Sequence, residues 1–449
     1  MSPSKRVGIV GAGAAGLVVA KILRAAQFDV TVFEKSSTLG GLWNYSDNTH
    51  TDATLYESLH TNLPTPVMQL SDFPFGKDVP SFPSHRQMLE YLREYAAFFK
   101  ISDVIQSGCL VERIESETAD NSSPIRIQWK KQNETIAETF DKVVICNGHF
   151  AKPAYPTIEG MQYFEGSHLH SHDYRRPESF ENKRILLIGM GPSGDDISKE
   201  LVNSGAKEVI VSYPGHIEPR GSVQNSSQTS EKRILKPPIR HIDQEKTFVF
   251  QDGTQCTSPD VIIYCTGYQY TVTNFFQEGI LFPDIGAANG FTLSMRASPQ
   301  FGALMEEAKH RTIVAPLYEH LLSIQNANIA FVGLTSKVLP FLCFELQAKW
   351  LVAVYKGDLN LPSKSEMIQQ LWNQVMQSDS AMRKLHTLGA LQRAYLRKLA
   401  TQSNASLNEA VFDMYEDCAS LRKSHPFDFR KAQYQCDVDQ KTWTRHLPL

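Results

Sequence analysis

No apolar run in this 449-residue chain comes near the roughly 20 residues that a membrane-spanning helix requires, so no membrane anchor is expected. Charge of one sign is also lacking. Lysine and arginine total 45 against 48 aspartates and glutamates, and a formal net charge of −3 provides no field to draw nucleic acid or an anionic membrane. The N-terminal stretch MSPSKRVGIVGAG runs straight into a strand pattern with no room for a secretory leader, and a cytoplasmic location is expected. The 7 cysteines, at 109, 146, 256, 265, 343, 418 and 436, include no CxxC pair, which excludes the obvious redox-dithiol chemistry. What remains is a globular composition, 42% hydrophobic, in a chain long enough for two domains with their own cores.

What the chain does have is a pair of glycine-rich turns, GAGAAG at residues 11–16 and GMGPSG at residues 189–194. The first follows the apolar run 7–10 and opens the helical pattern 17–23, the strand, turn and helix order of a phosphate cradle. Gly11 permits the tight turn, Gly13 lets the backbone approach a pyrophosphate at the helix N-terminus, and Gly16 allows close packing of helix on strand. The next strand, 30–33, leads into Glu34, where a carboxylate would bond a ribose 2′-hydroxyl and oppose a 2′-phosphate. The second turn follows 184–188 and opens a helix over about 193–202. Its next strand, 209–212, runs into Ser212, Tyr213 and Pro214, with neither the acid that favours NAD nor an adjacent arginine for a 2′-phosphate. Lys199, Lys207, His216 and Arg220 are the nearby cations, each of a type more often solvated on a surface. Two cradles predict two dinucleotides.

Residues 124–130 alternate as a strand and 135–145 return as a second, ending in CNGH, a β-meander feeding the main sheet. A matching unit follows the second cradle, where 247–250 and 261–264 flank the turn pair Asp252 and Gly253 and end in CTGY. Each half therefore holds a cradle, a second strand, a meander and a strand that ends at Gly148 or Gly267, with Cys146 and Cys265 as small packed thiols. The expected fold is α/β, two Rossmann-like dinucleotide-binding domains with the smaller, 177–270, inserted in the larger, 1–176 and 271–449. The crossover is expected near Arg176 and Pro177 and the return near Tyr268 to Val272. Residues 329–333 read as another strand, 344–355 as a helix, and 365–422 as a C-terminal helical region.

Phe164, Gly166, His170 and Tyr174 stand at the spacing FxGxxxHxxxY directly before the second cradle. With both glycine motifs, Gly40 to Trp43, Thr61 and Asn62, and Thr266 to Tyr268, the chain from about residue 5 to about 355 resembles the flavin-containing monooxygenases. Baeyer–Villiger monooxygenases are similar but carry tryptophan where Tyr174 stands, N-hydroxylating enzymes differ around the first cradle and the TGY segment, and these two classes are the alternative flavin monooxygenases. The resemblance implies FAD in the first domain and NADPH in the second. It further implies activation of O2 as a C4a-hydroperoxyflavin and transfer of one oxygen to a thioether sulfur or amine nitrogen of a small molecule. A homodimer is one assembly left open. A pyridine-nucleotide disulfide reductase would need a dithiol that the chain lacks, and a non-catalytic flavin- and NADP-binding sensor is the alternative outside catalysis.

By that resemblance Gly11, Gly13, Ala14, Ala15, Gly16, Glu34, Lys35, Gly41, Leu42, Trp43, Thr61 and Asn62 contact FAD, and the backbone at Val111 meets its adenine. Gly189, Gly191, Pro192, Ser193 and Gly194, with Ser212, Thr266 and Gly267, belong to the nicotinamide cofactor, although Tyr213 and Pro214 replace the arginine that the family usually carries. Asn62, in HTNLP, matches the active-site asparagine, against the plainer role of a turn residue before Pro64. His170, among His168 and His172, is expected to be structural, and no metal site is expected from the three. Trp43 and Trp350 read as core rather than pocket. The helix that follows residues 339–343 points its N-terminus at the flavin pyrimidine in this scheme, with Gln347 as the side chain to test.

Overall fold

The computed structural model describes residues 4–49, 51, 53–118, 121–215, 233–271, 275–277, 280–281, 304, 313–375, 384–437 and 442–447. His216, Arg220 and Val272 lie outside the described residues. The chain divides into two compact units, one of Met1–Asn44, Leu63–His149 and Tyr270–Leu449, the other of Tyr45–Asn62 and Phe150–Gln269.

The central sheet of the first unit runs Leu317–Tyr318, Leu322–Ser323, Ile329–Phe331, Lys142–Ile145, Arg6–Val10, Asp29–Glu34 and Ile105–Ser107. The strands from Ile329–Phe331 onward are parallel to one another, which requires cover on both faces and explains the apolar character of the inner strands Ile329–Phe331, Lys142–Ile145 and Arg6–Val10. Helix Ala14–Ala25 covers one face with Leu17, Val18, Val19 and Leu23, all at 0% exposure, and helix Pro340–Lys356 packs beside it. An antiparallel sheet of Cys109–Ser116, Ile125–Lys131 and Glu134–Phe140 covers the other, with Trp129 and Phe140 against Phe33 at centroid distances of 4.5 and 5.8 Å.

The single strand expected over 135–145 is two strands in two sheets, Glu134–Phe140 and Lys142–Ile145. Asp141 makes the corner: its carboxylate accepts the Arg6 N–H at 2.7 Å and its own N–H donates to the Arg6 carbonyl at 2.9 Å. Apolar periodicity does not register a change of partner.

The second unit holds a parallel sheet in the order Arg233–Lys236, Glu208–Ser212, Arg184–Ile188, Val261–Tyr264 and Ser167–His170. Helix Pro192–Asn203 covers one face through Ile197, Leu201 and Val202, and the antiparallel strands Ile239–Ile242, Phe248–Phe250 and Gln255–Cys256 bring Phe248 and Phe250 to the other. Strand Ser167–His170 carries no strand signal in its sequence, because SHLH has one apolar residue and no apolar alternation. It puts the FxGxxxHxxxY segment inside this unit, which begins at Phe150, earlier than the crossover expected near Arg176 and Pro177. The unit also takes Tyr45–Asn62, a segment with no helix or strand among its described residues.

Helices Pro340–Lys356, Lys364–Val375, Gln392–Gln402 and Ala410–Ser424 supply the C-terminal helical region of the first unit. Trp350 is fully buried there and donates to Gln402 Oε1 at 2.8 Å. No helix among the described residues is long and apolar enough to cross a membrane.

Candidate functional site

The two glycine turns are built alike at their first and last glycines. Gly11 has φ +102° and donates its N–H to the Phe33 carbonyl at 2.8 Å; Gly189 has φ +103° and donates to the Ser212 carbonyl at 2.8 Å. A Cβ on Gly16 would lie 1.9 Å from the Gly11 oxygen, and one on Gly194 would lie 2.2 Å from the Gly189 oxygen, so no side chain fits where helix meets strand. Cys146 and Cys265 sit under the two turns, donating their N–H groups to Val10 and Ile188 at 2.8 Å. Burial pushes both thiols up, Cys265 to about 12, so neither is a thiolate at neutral pH.

Each turn delivers an open helix N-terminus. Gly13 caps Ala14–Ala25 and Gly191 caps Pro192–Asn203, both in extended conformation without a side-chain cap, so the first-turn N–H groups are left for a ligand. The first helix has no acid in its first turn. The second has Asp195, whose carboxylate is held by Lys199 at 2.8 Å and Arg233 at 3.0 Å, offsetting a charge that would repel a phosphate. Gly191 has open space where its Cβ would be, whereas Gly13 faces Gly41 Cα at 3.6 Å. The segment at Gly40 is drawn onto the first turn by its N–H, which donates to the Ala12 carbonyl at 2.9 Å. These features fit a dinucleotide pyrophosphate at each turn.

Glu34 is 5% exposed, and its two carboxylate oxygens accept the Ala12 N–H at 2.7 Å and the Ser36 N–H at 2.8 Å. The acid expected to meet a ribose thus also braces the turn. The residue at the same register in the second unit is Tyr213, one beyond the Ser212 carbonyl, so no carboxylate stands where Glu34 stands in the first. Ser212 itself is buried and its hydroxyl donates to the Pro237 carbonyl at 3.0 Å.

Ala14, Ala15, Lys35, Gly41, Leu42, Trp43, Val111 and Gln347 lie in the first unit, while Thr61, Asn62, Pro192, Ser193, Thr266 and Gly267 lie in the second. Leu42 is exposed, and Trp43 is half-buried against the first core. Val111 is in strand Cys109–Ser116 beside a register shift that frees the backbone at Glu112 from regular pairing. Asn62 is half-buried next to the buried Thr61, just before the short helix Thr65–Met68. The Thr266 hydroxyl donates to the Ala154 carbonyl, and Gly267 is at φ +80° with nothing near its missing side chain.

Gln347 is fully buried: its Oε1 accepts the Gly333 N–H at 3.1 Å and its amide donates to Tyr395 Oη at 2.9 Å. Both ends of the amide are engaged within the protein, so it acts on the loop at Gly333, whose missing Cβ would lie 3.4 Å from Ala15 Cβ. His149 reaches the same glycine's backbone, and burial holds its pKa at about 4. His170 is likewise fully buried with a pKa held at about 4 by burial, and its Nδ1 accepts the His172 N–H at 3.1 Å. No group of histidines, cysteines and acids suited to a metal occurs among the described residues.

The family model for flavin-binding monooxygenase-like proteins matches residues 4–217. The chain is 32% identical over 460 residues to flavin-containing monooxygenase FMO GS-OX-like 4 of Arabidopsis thaliana, covering 95% of this chain and 94% of that protein. With flavin-containing monooxygenase FMO GS-OX3 of the same plant the identity is 33% over 453 residues, 95% and 91% of the two chains. The solved structure of S-allyl-L-cysteine S-oxygenase from Allium sativum is similar at TM-score 0.81 and 30% identity, over 98% of this chain and 97% of that one. Tmm from Pelagibacter sp. strain HTCC7211, at TM-score 0.77 and 22% identity over 98% and 95%, shares the fold. Identity at this level along nearly the whole length of such relatives means that the chain belongs to the flavin-containing monooxygenase family, and is an oxidoreductase of the monooxygenase type that binds a flavin.

Proposed function

We propose that the first cradle holds FAD, the second holds NADPH, and the chain transfers one oxygen atom from O2 to the thioether sulfur of a small molecule, with amine nitrogen as the second acceptor. The observation that carries this is the doubled turn with Glu34 in one copy and Tyr213 at the matching place in the other. A carboxylate at Glu34 suits a ribose with free hydroxyls, and Tyr213 at the matching position carries no charge to repel a 2′-phosphate. Sulfur as the preferred acceptor is supported by the likeness to an enzyme named as an S-oxygenase of S-allyl-L-cysteine.

The flavin, when bound, supplies the electron transfer and the O2 chemistry. The protein's part is binding, orientation and exclusion of water. First-turn N–H groups of Ala14–Ala25 and Pro192–Asn203 hold the pyrophosphates with the favourable end of each helix dipole. Glu34 would take a ribose hydroxyl while bracing the turn, and Lys35, Gly41, Leu42 and Trp43 would line the flavin site in the first unit. Asn62 would supply an amide N–H donor, a neutral group able to hold developing negative charge without giving up a proton. Gln347 acts indirectly, through Gly333.

The test is NADPH consumption by the FAD-loaded protein in air, with thioethers and amines offered in turn and product and peroxide both measured. A sulfoxide formed in step with NADPH supports the proposal. Consumption that yields only peroxide with every acceptor refutes the substrate class, and no consumption at all leaves a cofactor-binding module.

A further inference from the structure

We propose that Arg175 is a positioning residue, a guanidinium clamp that holds the segment carrying Asn62 and ties it to the helix of the second cradle; this rests on the oxygen-site role given to Asn62. Arg175 follows Tyr174, the last residue of the FxGxxxHxxxY motif, and is 8% exposed. Its Nε donates to the Ser46 carbonyl at 2.6 Å and its Nη2 to the Ala53 carbonyl at 2.7 Å, while Nη1 donates to the His172 and Tyr174 carbonyls at 2.5 and 3.1 Å. Its own carbonyl accepts the Glu57 N–H at 3.0 Å. These partners are main-chain groups, not carboxylates.

A buried charge that bonds no carboxylate directly is unfavourable unless its donors are satisfied, and here the main-chain carbonyls satisfy them. Only arginine offers a planar fork of five donors, able to reach carbonyls at separate points of a loop. The neighbouring Arg176 makes the more ordinary contacts, exposed pairs with Asp47 at 3.0 Å and Glu57 at 2.9 Å, of a kind that contributes little.

The clamp has a second anchor on the same segment. Tyr56, 5% exposed, donates its hydroxyl to Asp196 at 3.0 Å, and Tyr174 donates to Glu200 at 2.7 Å, with the two rings edge to face at 6.0 Å. Asp196 and Glu200 both belong to Pro192–Asn203, the helix opened by the second cradle. Tyr174 and Arg175 therefore grip the cradle helix with one side chain and the Asn62 segment with the next. That segment has no helix or strand among its described residues, and these long-range bonds contribute to its order.

Hydrogen exchange of the flavin-loaded protein tests this. In Arg175→Met, amides of residues 53–62 should exchange about tenfold faster or more while strand Arg184–Ile188 keeps its protection. Peroxide release per NADPH should rise without a slower flavin reduction. Arg175→Lys, which keeps the charge but loses the fork, should fall between. Exchange that is unchanged in 53–62, or faster everywhere alike, overturns the clamp. If Arg175→Met does not fold, Tyr56→Phe decides: local loosening of 53–62 supports the clamp and no change overturns it. Asn62→Ala should leave the exchange untouched, so a failure of that variant to release peroxide refutes the role of Asn62 and not the clamp.

Discussion

Glu34 and Tyr213 stand at the same place in two copies of one turn, each one residue beyond a carbonyl, of Phe33 or Ser212, that accepts a glycine N–H at 2.8 Å. Placing an acid in the second copy should therefore confer the preference of the first. In Tyr213→Glu, the ratio of kcat/KM for NADPH over NADH should fall by about tenfold or more, since each 1.4 kcal/mol of repulsion is a factor of ten. Steady-state kinetics with both cofactors checks it, and an unchanged ratio removes Tyr213 from the specificity site.

The glycines separate sterics from ligand contact. Gly16→Ala forces a Cβ onto the Gly11 oxygen and should destabilise the fold by about 1–3 kcal/mol or more, with loss of flavin. Gly191→Ala meets open space at an ordinary backbone conformation and should alter stability by about 0.5 kcal/mol or less. Thermal midpoints report the first effect. A weaker NADPH affinity in Gly191→Ala at unchanged midpoint reports close approach of the pyrophosphate to the backbone.

Asn62→Ala should leave flavin reduction by NADPH intact and divert oxygen to peroxide, lowering product per NADPH by about 10-fold or more, as the loss of one preorganised donor does elsewhere. Parallel assays of product, peroxide and NADPH decide this. Unchanged coupling would return Asn62 to the role of a turn residue.

Stability should depend on pH through buried neutral histidines. Burial holds His149 and His170 at about 4 and His386 at about 3, below their ordinary 6.5. Between those values the unfolded chain binds protons that the folded one refuses, so stability is full above about 6.5 and falls as pH drops toward 4. The loss should reach about 1–3 kcal/mol per histidine, read as denaturant midpoints at pH 7 and 5. His386→Gln, whose amide can still meet the Val314 backbone that His386 Nε2 contacts at 2.9 Å, should shrink the fall. An equal fall in that variant would assign the effect to other groups.

Short-range rules account for what was legible in the chain. A glycine that must take positive φ, a strand buried on both faces and a helix opening on a turn each follow from a few adjacent residues, and so both cradles and the motif spacing could be read directly. The break at Asp141 could not, because it depends on a bond to Arg6, 135 residues away. Nor could the engagement of Gln347, whose two partners come from a strand end and a later helix.

Two glycine-rich turns, the positive φ at the first glycine of each and the acid that accompanies the first all follow from adjacent residues of the chain. The tertiary structure alone decided that Tyr45–Asn62 joins the second unit and that, of two consecutive arginines, Arg175 is buried and Arg176 exposed. The reason is physical: backbone conformation is set by local sterics, whereas burial and hydrogen-bond partners are set by segments that meet only when the chain is folded, as Arg175 meets Ser46 across 129 residues.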